Sequence, residues 1–157
     1  MSLEEEIGQR LLLSKQTIST AESCTGGLIA SRITDVSGSS AYMMGGVVAY
    51  SNDVKNALLK VKEQTLATHG AVSEQTAAEM AQGARQLLRS DYALSVTGIA
   101  GPGGGTIEKP VGLTYIGLAG PEDLLVVERY VWEMDRVGNK NASVDAAFRL
   151  LLQHLPA

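Results

Sequence analysis

The order of helical stripes and β-rich runs predicts an α/β fold: a three-layer α/β/α sandwich around a mixed, mostly parallel sheet with an antiparallel C-terminal hairpin strand. Helical segments separate the first three strand-like runs, and strands joined through helices tend to lie parallel. The last two runs are separated only by Gly120-Pro121-Glu122-Asp123, short enough for a hairpin. Two runs end in loops of small residues, Ser23 to Gly27 and Gly98 to Gly105. In open sheets, ligands favour the crevice beyond the carboxyl ends of the strands, which is where both loops would lie.

From the amino terminus, Leu3, Ile7 and Leu11 recur at helical spacing with acids early, predicting a helix from Leu3 to about Ser14. Thr17 to Glu22 is a β-branched run. Gly26 to about Val36 puts Leu28, Ile29 and Ile33 on one helical face, with Cys24, Thr25 and Gly26 in the first turn. Tyr42 to Ser51 reads as a strand in which Gly45-Gly46 marks a bulge or close backbone approach. Asn52 or Asp53 is the expected cap of a short helix ending at Leu59, followed by another from Lys62 to Thr68. Ser73 caps the strongest helix, with Ala77, Met80, Ala81, Ala84, Leu87 and Leu88 on one face to about Arg89. Tyr92 to Ile99 is the central strand, Val111 to Ala119 and Leu124 to Trp132 form the hairpin, and Val144, Ala147, Phe148, Leu151 and Leu155 make the final helical stripe.

At 157 residues, with 45% apolar and 19% charged residues, the chain fits one globular domain spanning 1–157. The net charge of −4, with Lys and Arg scattered, argues against a nucleic-acid partner. A lone cysteine, Cys24, excludes an internal disulfide and a multi-cysteine zinc site, and two distant histidines give no metal pattern. No cofactor is expected. Glu4, Glu5 and Glu6 stand where a signal peptide needs positive charge, and no apolar stretch is long enough to cross a bilayer, so a cytoplasmic protein is expected. The apolar content allows a homo-oligomer without locating its surface.

Chemistry concentrates at the two small-residue loops. Ser23 sits where a strand hands over to a helix, a place suited to an N-cap but also to a nucleophile beside free N–H groups. A serine nucleophile needs a base. His69 at a helix end and His154 near the terminus both read as surface residues, which leaves lysine. Tyr50 ends a strand and Lys55 follows within the next helix, so both can reach the crevice, although spacing alone fits a solvated lysine. A free lysine titrates at about 10.4, so a base role requires desolvation or a nearby positive charge. Thr97, just before Gly98, offers a hydroxyl to a ligand. Cys24 is the rival nucleophile, but successive side chains at a strand end point apart, which gives Cys24 a packing role.

Ala21-Glu22-Ser23-Cys24-Thr25-Gly26-Gly27, Gly46-Val47-Val48-Ala49-Tyr50-Ser51-Asn52 with Lys55, Gly70-Ala71-Val72-Ser73, Val96 through Gly104, and Lys109-Pro110-Val111-Gly112 occur in that order. Together they resemble the nicotinamide-nucleotide amidohydrolase family, that of the CinA carboxy-terminal domain, from about Thr20 to Leu152. The resemblance implies metal-independent hydrolysis of nicotinamide mononucleotide, a small-molecule nucleotide, to nicotinate mononucleotide and ammonia. Carried over by motif, Ser23 is the nucleophile and Lys55 its general base, with Tyr50 and Thr97 supporting the site. Backbone N–H groups of Cys24, Thr25, Gly26 and Gly27, or of Gly98 to Gly101, would hold the oxyanion. The glycine loop, including Gly103 and Gly104, and a basic side chain would receive the phosphate.

One segment departs from the pattern. The family usually shows Gly-Asp-Arg followed by a further arginine. Here Met134-Asp135-Arg136 lacks the glycine and Lys140 stands in place of the second arginine, offering charge without a planar fork. Arg136 and Lys140 remain the candidate substrate grips. The alternative reading is a non-catalytic, pyridine-nucleotide-binding regulatory module, and a third is an amidase or esterase acting on another small acyl compound.

Overall fold

A computed structural model describes residues 1–157. Its strands are β1 (Ile18–Glu22), β2 (Met43–Val48), β3 (Tyr92–Gly98), β4 (Leu113–Gly120) and β5 (Leu124–Val131). The helices are α1 (Leu3–Ser14), α2 (Leu28–Thr34), α3 (Asn52–Leu59), α4 (Glu63–His69), α5 (Glu74–Leu88) and α6 (Arg136–His154), with one 3-10 turn at Ser39–Ala41. The strands form one sheet in the order β2-β1-β3-β4-β5. β1 lies parallel to β2 and β3, while β4 runs antiparallel to both β3 and β5, so β4 alone is reversed. The carboxyl ends of β1, β2 and β3 therefore share one edge.

Helices α1, α2 and α6 cover one face of the sheet, and α3, α4 and α5 the other. Alternation along the strands divides the core accordingly. Tyr92, Leu94 and Val96 join Ile7, Leu11, Ile29, Phe148 and Leu151 in the larger cluster, where each fully buried large side chain contributes about 1.5–3 kcal/mol. Ala21 and Ala93 face Leu59, Val61, Met80 and Ala84 in a smaller cluster on the α5 side. That second interface is built from small residues, so backbones approach closely. Gly83 leaves room for the Leu59 carbonyl, and Ser95 Oγ donates to the Ala77 carbonyl at 2.6 Å.

Element boundaries differ from the sequence reading where a local contact decides them. α2 begins at Leu28 rather than within Cys24 to Gly26, because Gly26 and Gly27 take φ of +65° and +104°. The Glu22 carboxylate replaces the missing cap by accepting Ile29 N–H at 2.8 Å and Ala30 N–H at 3.0 Å. α3 is capped by Ser51, whose hydroxyl accepts the Val54 N–H, and not by Asn52 or Asp53. β2 is shorter than expected at both ends, and β4 starts at Leu113, after Gly112 with φ +92°. α6 starts at Arg136, two turns ahead of its apolar stripe, with Asp135 Oδ1 accepting the Gly138 N–H. No helix is long and apolar enough to cross a membrane.

The close approach of α5 gives a direct test. A Cβ at Gly83 would lie 1.8 Å from the Leu59 carbonyl oxygen, whereas one at Gly103 would meet nothing within 4 Å. Gly83→Ala is expected to lower stability by at least about 2 kcal/mol despite alanine's better helix propensity, and Gly103→Ala to change it by under about 0.5 kcal/mol. Urea unfolding midpoints check both.

Candidate active site

Alternation in β1 sorts three successive side chains at its end. Glu22 turns to the α2 side and is 1% exposed, with both oxygens occupied: beyond the two α2 N–H groups, Thr25 Oγ1 donates to it at 2.6 Å. Ser23 turns to the opposite side, and Cys24 returns to pack against the larger cluster. On the Ser23 side, α3 presents Lys55 and Leu59 one turn apart on its buried face. Leu59 enters the core, and Lys55 reaches the end of β1.

Lys55 is 1% exposed, and its Nζ lies 3.1 Å from Ser23 Oγ and 3.4 Å from the Tyr50 carbonyl. No carboxylate forms a salt bridge with it. Burial therefore lowers the Lys55 pKa, opposed only by the Cys24 thiol. Burial in turn pushes the Cys24 thiol up to about 11, so at neutral pH it stays protonated and weakly nucleophilic.

Ser23 and Lys55 stand in a cleft of about 270 Å³ at the carboxyl edge of the sheet. Tyr50, Thr97, Cys24, Gly98, Gly101, Gly103 and Arg136 line the same cleft. Thr97 Oγ1 donates to the Ala71 carbonyl at 2.7 Å, which ties the loop before α5 to the cleft wall. The exposed Arg136 guanidinium donates to the Gly101 carbonyl at 2.7 Å and to the Tyr50 hydroxyl at 3.1 Å. These acceptors are neutral, so its charge is uncompensated. A larger depression of about 520 Å³, lined by Arg85, Arg89 and Asp123, lies at the opposite end of the sheet and holds neither member of the Ser23–Lys55 pair.

The remaining predicted residues stand outside the cleft lining. The Thr25 hydroxyl is committed to Glu22, and Gly26 and Gly27 form the turn behind Ser23. The N–H groups of Cys24, Thr25 and Gly27 find no acceptor within the protein. Gly104 lies farther along the exposed loop. Lys140 sits beside Gly26, where a Cβ would come within 3.8 Å of its Nζ. The sequence reading passed over Asn139, buried on α6 with its Nδ2 donating to the Ala100 carbonyl at 2.9 Å. Extending the apolar stripe of α6 backward in helical steps lands on Ser143 and then Asn139, a signal that was available. In the sequence Glu22 reads only as the end of the β1 run, whereas its oxygens shape the turn that carries Ser23.

Comparison with known proteins agrees with this architecture. Residues 1–155 match the CinA C-terminal domain. A CinA-like protein of Chloroherpeton thalassium is 51% identical over 160 residues; the match takes in 100% of this chain and 38% of that protein. The chain thus spans little more than a third of that relative's length. The crystal structure of the competence/damage inducible protein CihA from Agrobacterium tumefaciens superposes with a TM-score of 0.91 at 41% identity, covering 98% of this chain and 96% of the other. A competence-damaged protein (CinA) superfamily protein from Escherichia coli gives 0.93 at 31% identity, covering 98% and 88%. A chain matched along nearly its whole length by profile, by sequence and by fold belongs to the CinA C-terminal domain family.

Proposed function

We propose that residues 1–157 act as one amidohydrolase domain that converts nicotinamide mononucleotide to nicotinate mononucleotide and ammonia. The observation that carries the reading is the buried Lys55 amine, 3.1 Å from Ser23 Oγ and without an anionic partner. Burial lowers the pKa of a lysine so placed, which brings its neutral amine within easier reach as a general base.

With one amine hydrogen directed at the Tyr50 carbonyl, the Lys55 lone pair accepts the Ser23 hydroxyl proton as Oγ attacks the carboxamide carbon. The developing oxyanion meets the N–H of Cys24, a cleft-lining residue whose N–H has no acceptor within the protein. Collapse of the tetrahedral intermediate breaks the C–N bond, and the Lys55 ammonium gives its proton to the leaving amine, which departs as ammonia. Lys55 next takes a proton from water, hydroxide attacks the Ser23 ester, and the proton returns to Oγ as the acid leaves. The uncompensated Arg136 guanidinium suits the substrate's phosphate. The pyridinium ring, positive and close to Lys55, disfavours the ammonium form and draws electrons from the amide carbon. Uncharged nicotinamide is accordingly expected to be turned over far more slowly.

Ammonia release from nicotinamide mononucleotide tests the reading. Ser23→Ala and Lys55→Ala are each expected to lower kcat by about 10²-fold to 10⁴-fold, and Lys55→Arg equally, because a guanidinium stays charged. Cys24→Ala should retain activity within about threefold, given a thiol protonated at neutral pH. Binding without ammonia release in the intact protein, or loss of activity in Cys24→Ala alone, would contradict the assignment.

The lowered Lys55 pKa fixes the sign of two pH dependences. Activity should rise with pH as Lys55 loses its proton. Between its folded pKa and the ordinary value of 10.5, the unfolded chain binds more protons at Lys55, so stability also rises with pH there. Lys55→Met is expected to be more stable than the parent at neutral pH, with an advantage that shrinks as pH climbs toward 10.5. Urea unfolding across that range checks this, and a pH-independent difference would contradict it.

A further inference from the structure

The loop after β3 is held at two successive carbonyls. Asn139, 2% exposed on α6, donates from Nδ2 to the Ala100 carbonyl at 2.9 Å while its Oδ1 accepts the Met134 N–H at 3.0 Å. Its carboxamide orientation is fixed, since one neighbour only accepts and the other only donates. Ser143 braces it from behind: Ser143 Oγ donates to the Asn139 carbonyl at 2.8 Å and accepts from Trp132 Nε1 at 3.0 Å. One turn nearer the helix start, Arg136 holds the next carbonyl, that of Gly101.

Peptide geometry then determines where the donor goes. The Ala100–Gly101 peptide is trans, so its N–H points opposite to the carbonyl that Asn139 secures. The Gly101 N–H finds no acceptor in the protein, and Ala100 and Gly101 both line the cleft. Past Gly101 no side chain of α6 holds the loop, and residues 103–108 are exposed.

We propose that Asn139 is a positioning residue: by holding the Ala100 carbonyl against α6, it presents the Gly101 N–H to the substrate's phosphate beside the Arg136 guanidinium. The choice of ligand rests on the proposed function; the positioning itself rests on hydrogen bonds. Donor and cation arrive on one residue of the loop, since Gly101 supplies the N–H and anchors Arg136 through its carbonyl.

Asn139→Asp separates this role from general support of the fold. The carboxylate keeps the acceptor for Met134 N–H and loses the donor to Ala100. Binding is measured calorimetrically in a Ser23→Ala background, where the proposed turnover is blocked, with nicotinamide mononucleotide and its phosphate-free riboside as probes. The expected result is about tenfold weaker binding of the mononucleotide, with the riboside unchanged within about twofold. If Asn139→Asp fails to fold, Asn139→Ser, too short to reach Ala100, carries the same comparison. Amide ¹⁵N shifts add a second readout in the Ser23→Ala protein with Asn139 retained: Gly101 should move with the mononucleotide and not with the riboside.

Equal weakening of both probes, or unchanged mononucleotide binding, would overturn the inference, as would a Gly101 amide indifferent to phosphate. Absence of ammonia release alongside the expected binding difference would instead reject the deamidase reading and leave Asn139 in its role at a nucleotide-binding cleft.

Discussion

A buried lysine amine with a serine hydroxyl for a neighbour and no carboxylate to neutralise it is the constraint around which this structure is arranged. Burying an uncompensated ammonium is costly, and this burial lowers the Lys55 pKa below the ordinary lysine value. The fold holds it in place through Leu59, one turn along α3, which is locked into the core against α5 where Gly83 admits its carbonyl. Stability drawn from that small-residue interface is what offsets a polar group at the end of the sheet. The same contact aims the amine at β1.

The second buried ionisable group shows how the two are kept from cancelling. Glu22 precedes Ser23, and strand alternation sends its carboxylate through to the α2 side. There it accepts Thr25 Oγ1 and two α2 N–H groups, stabilising a left-handed glycine turn that no ordinary cap could terminate. Had the carboxylate faced the cleft, it would have held Lys55 as an ammonium. One residue of register therefore keeps the Glu22 carboxylate away from the Lys55 amine, and it also packs one side of Cys24 against the larger cluster.

Much of this was legible in the chain. The order of elements and the final hairpin followed from helical and alternating periodicities, and the glycine loops marked the edge of the sheet at which Ser23 and Lys55 meet. Ends of elements were less legible because tertiary contacts decide them: Glu22 caps α2 from seven residues away, and Ser51 outcompetes Asn52 and Asp53 for α3. Lys55 illustrates the limit for the site. Its spacing fits a solvated lysine, and only its place one turn before Leu59, together with the family resemblance, points inward. Asn139 was passed over because a polar residue at the start of a helix reads as surface, although it continues the buried stripe through Ser143.

The central claim is that Lys55 in the folded protein loses its proton below the ordinary lysine range, and its own titration tests this most directly. With ¹³C-labelled lysine side chains, the Lys55 Nζ titration can be followed by NMR and assigned by the signal missing in Lys55→Met. The account predicts that this one resonance titrates below 10.5, apart from the exposed lysines, and moves lower still when nicotinamide mononucleotide occupies the cleft of the Ser23→Ala protein. A Lys55 signal that titrates with the exposed lysines would contradict it and remove the base from the proposed chemistry.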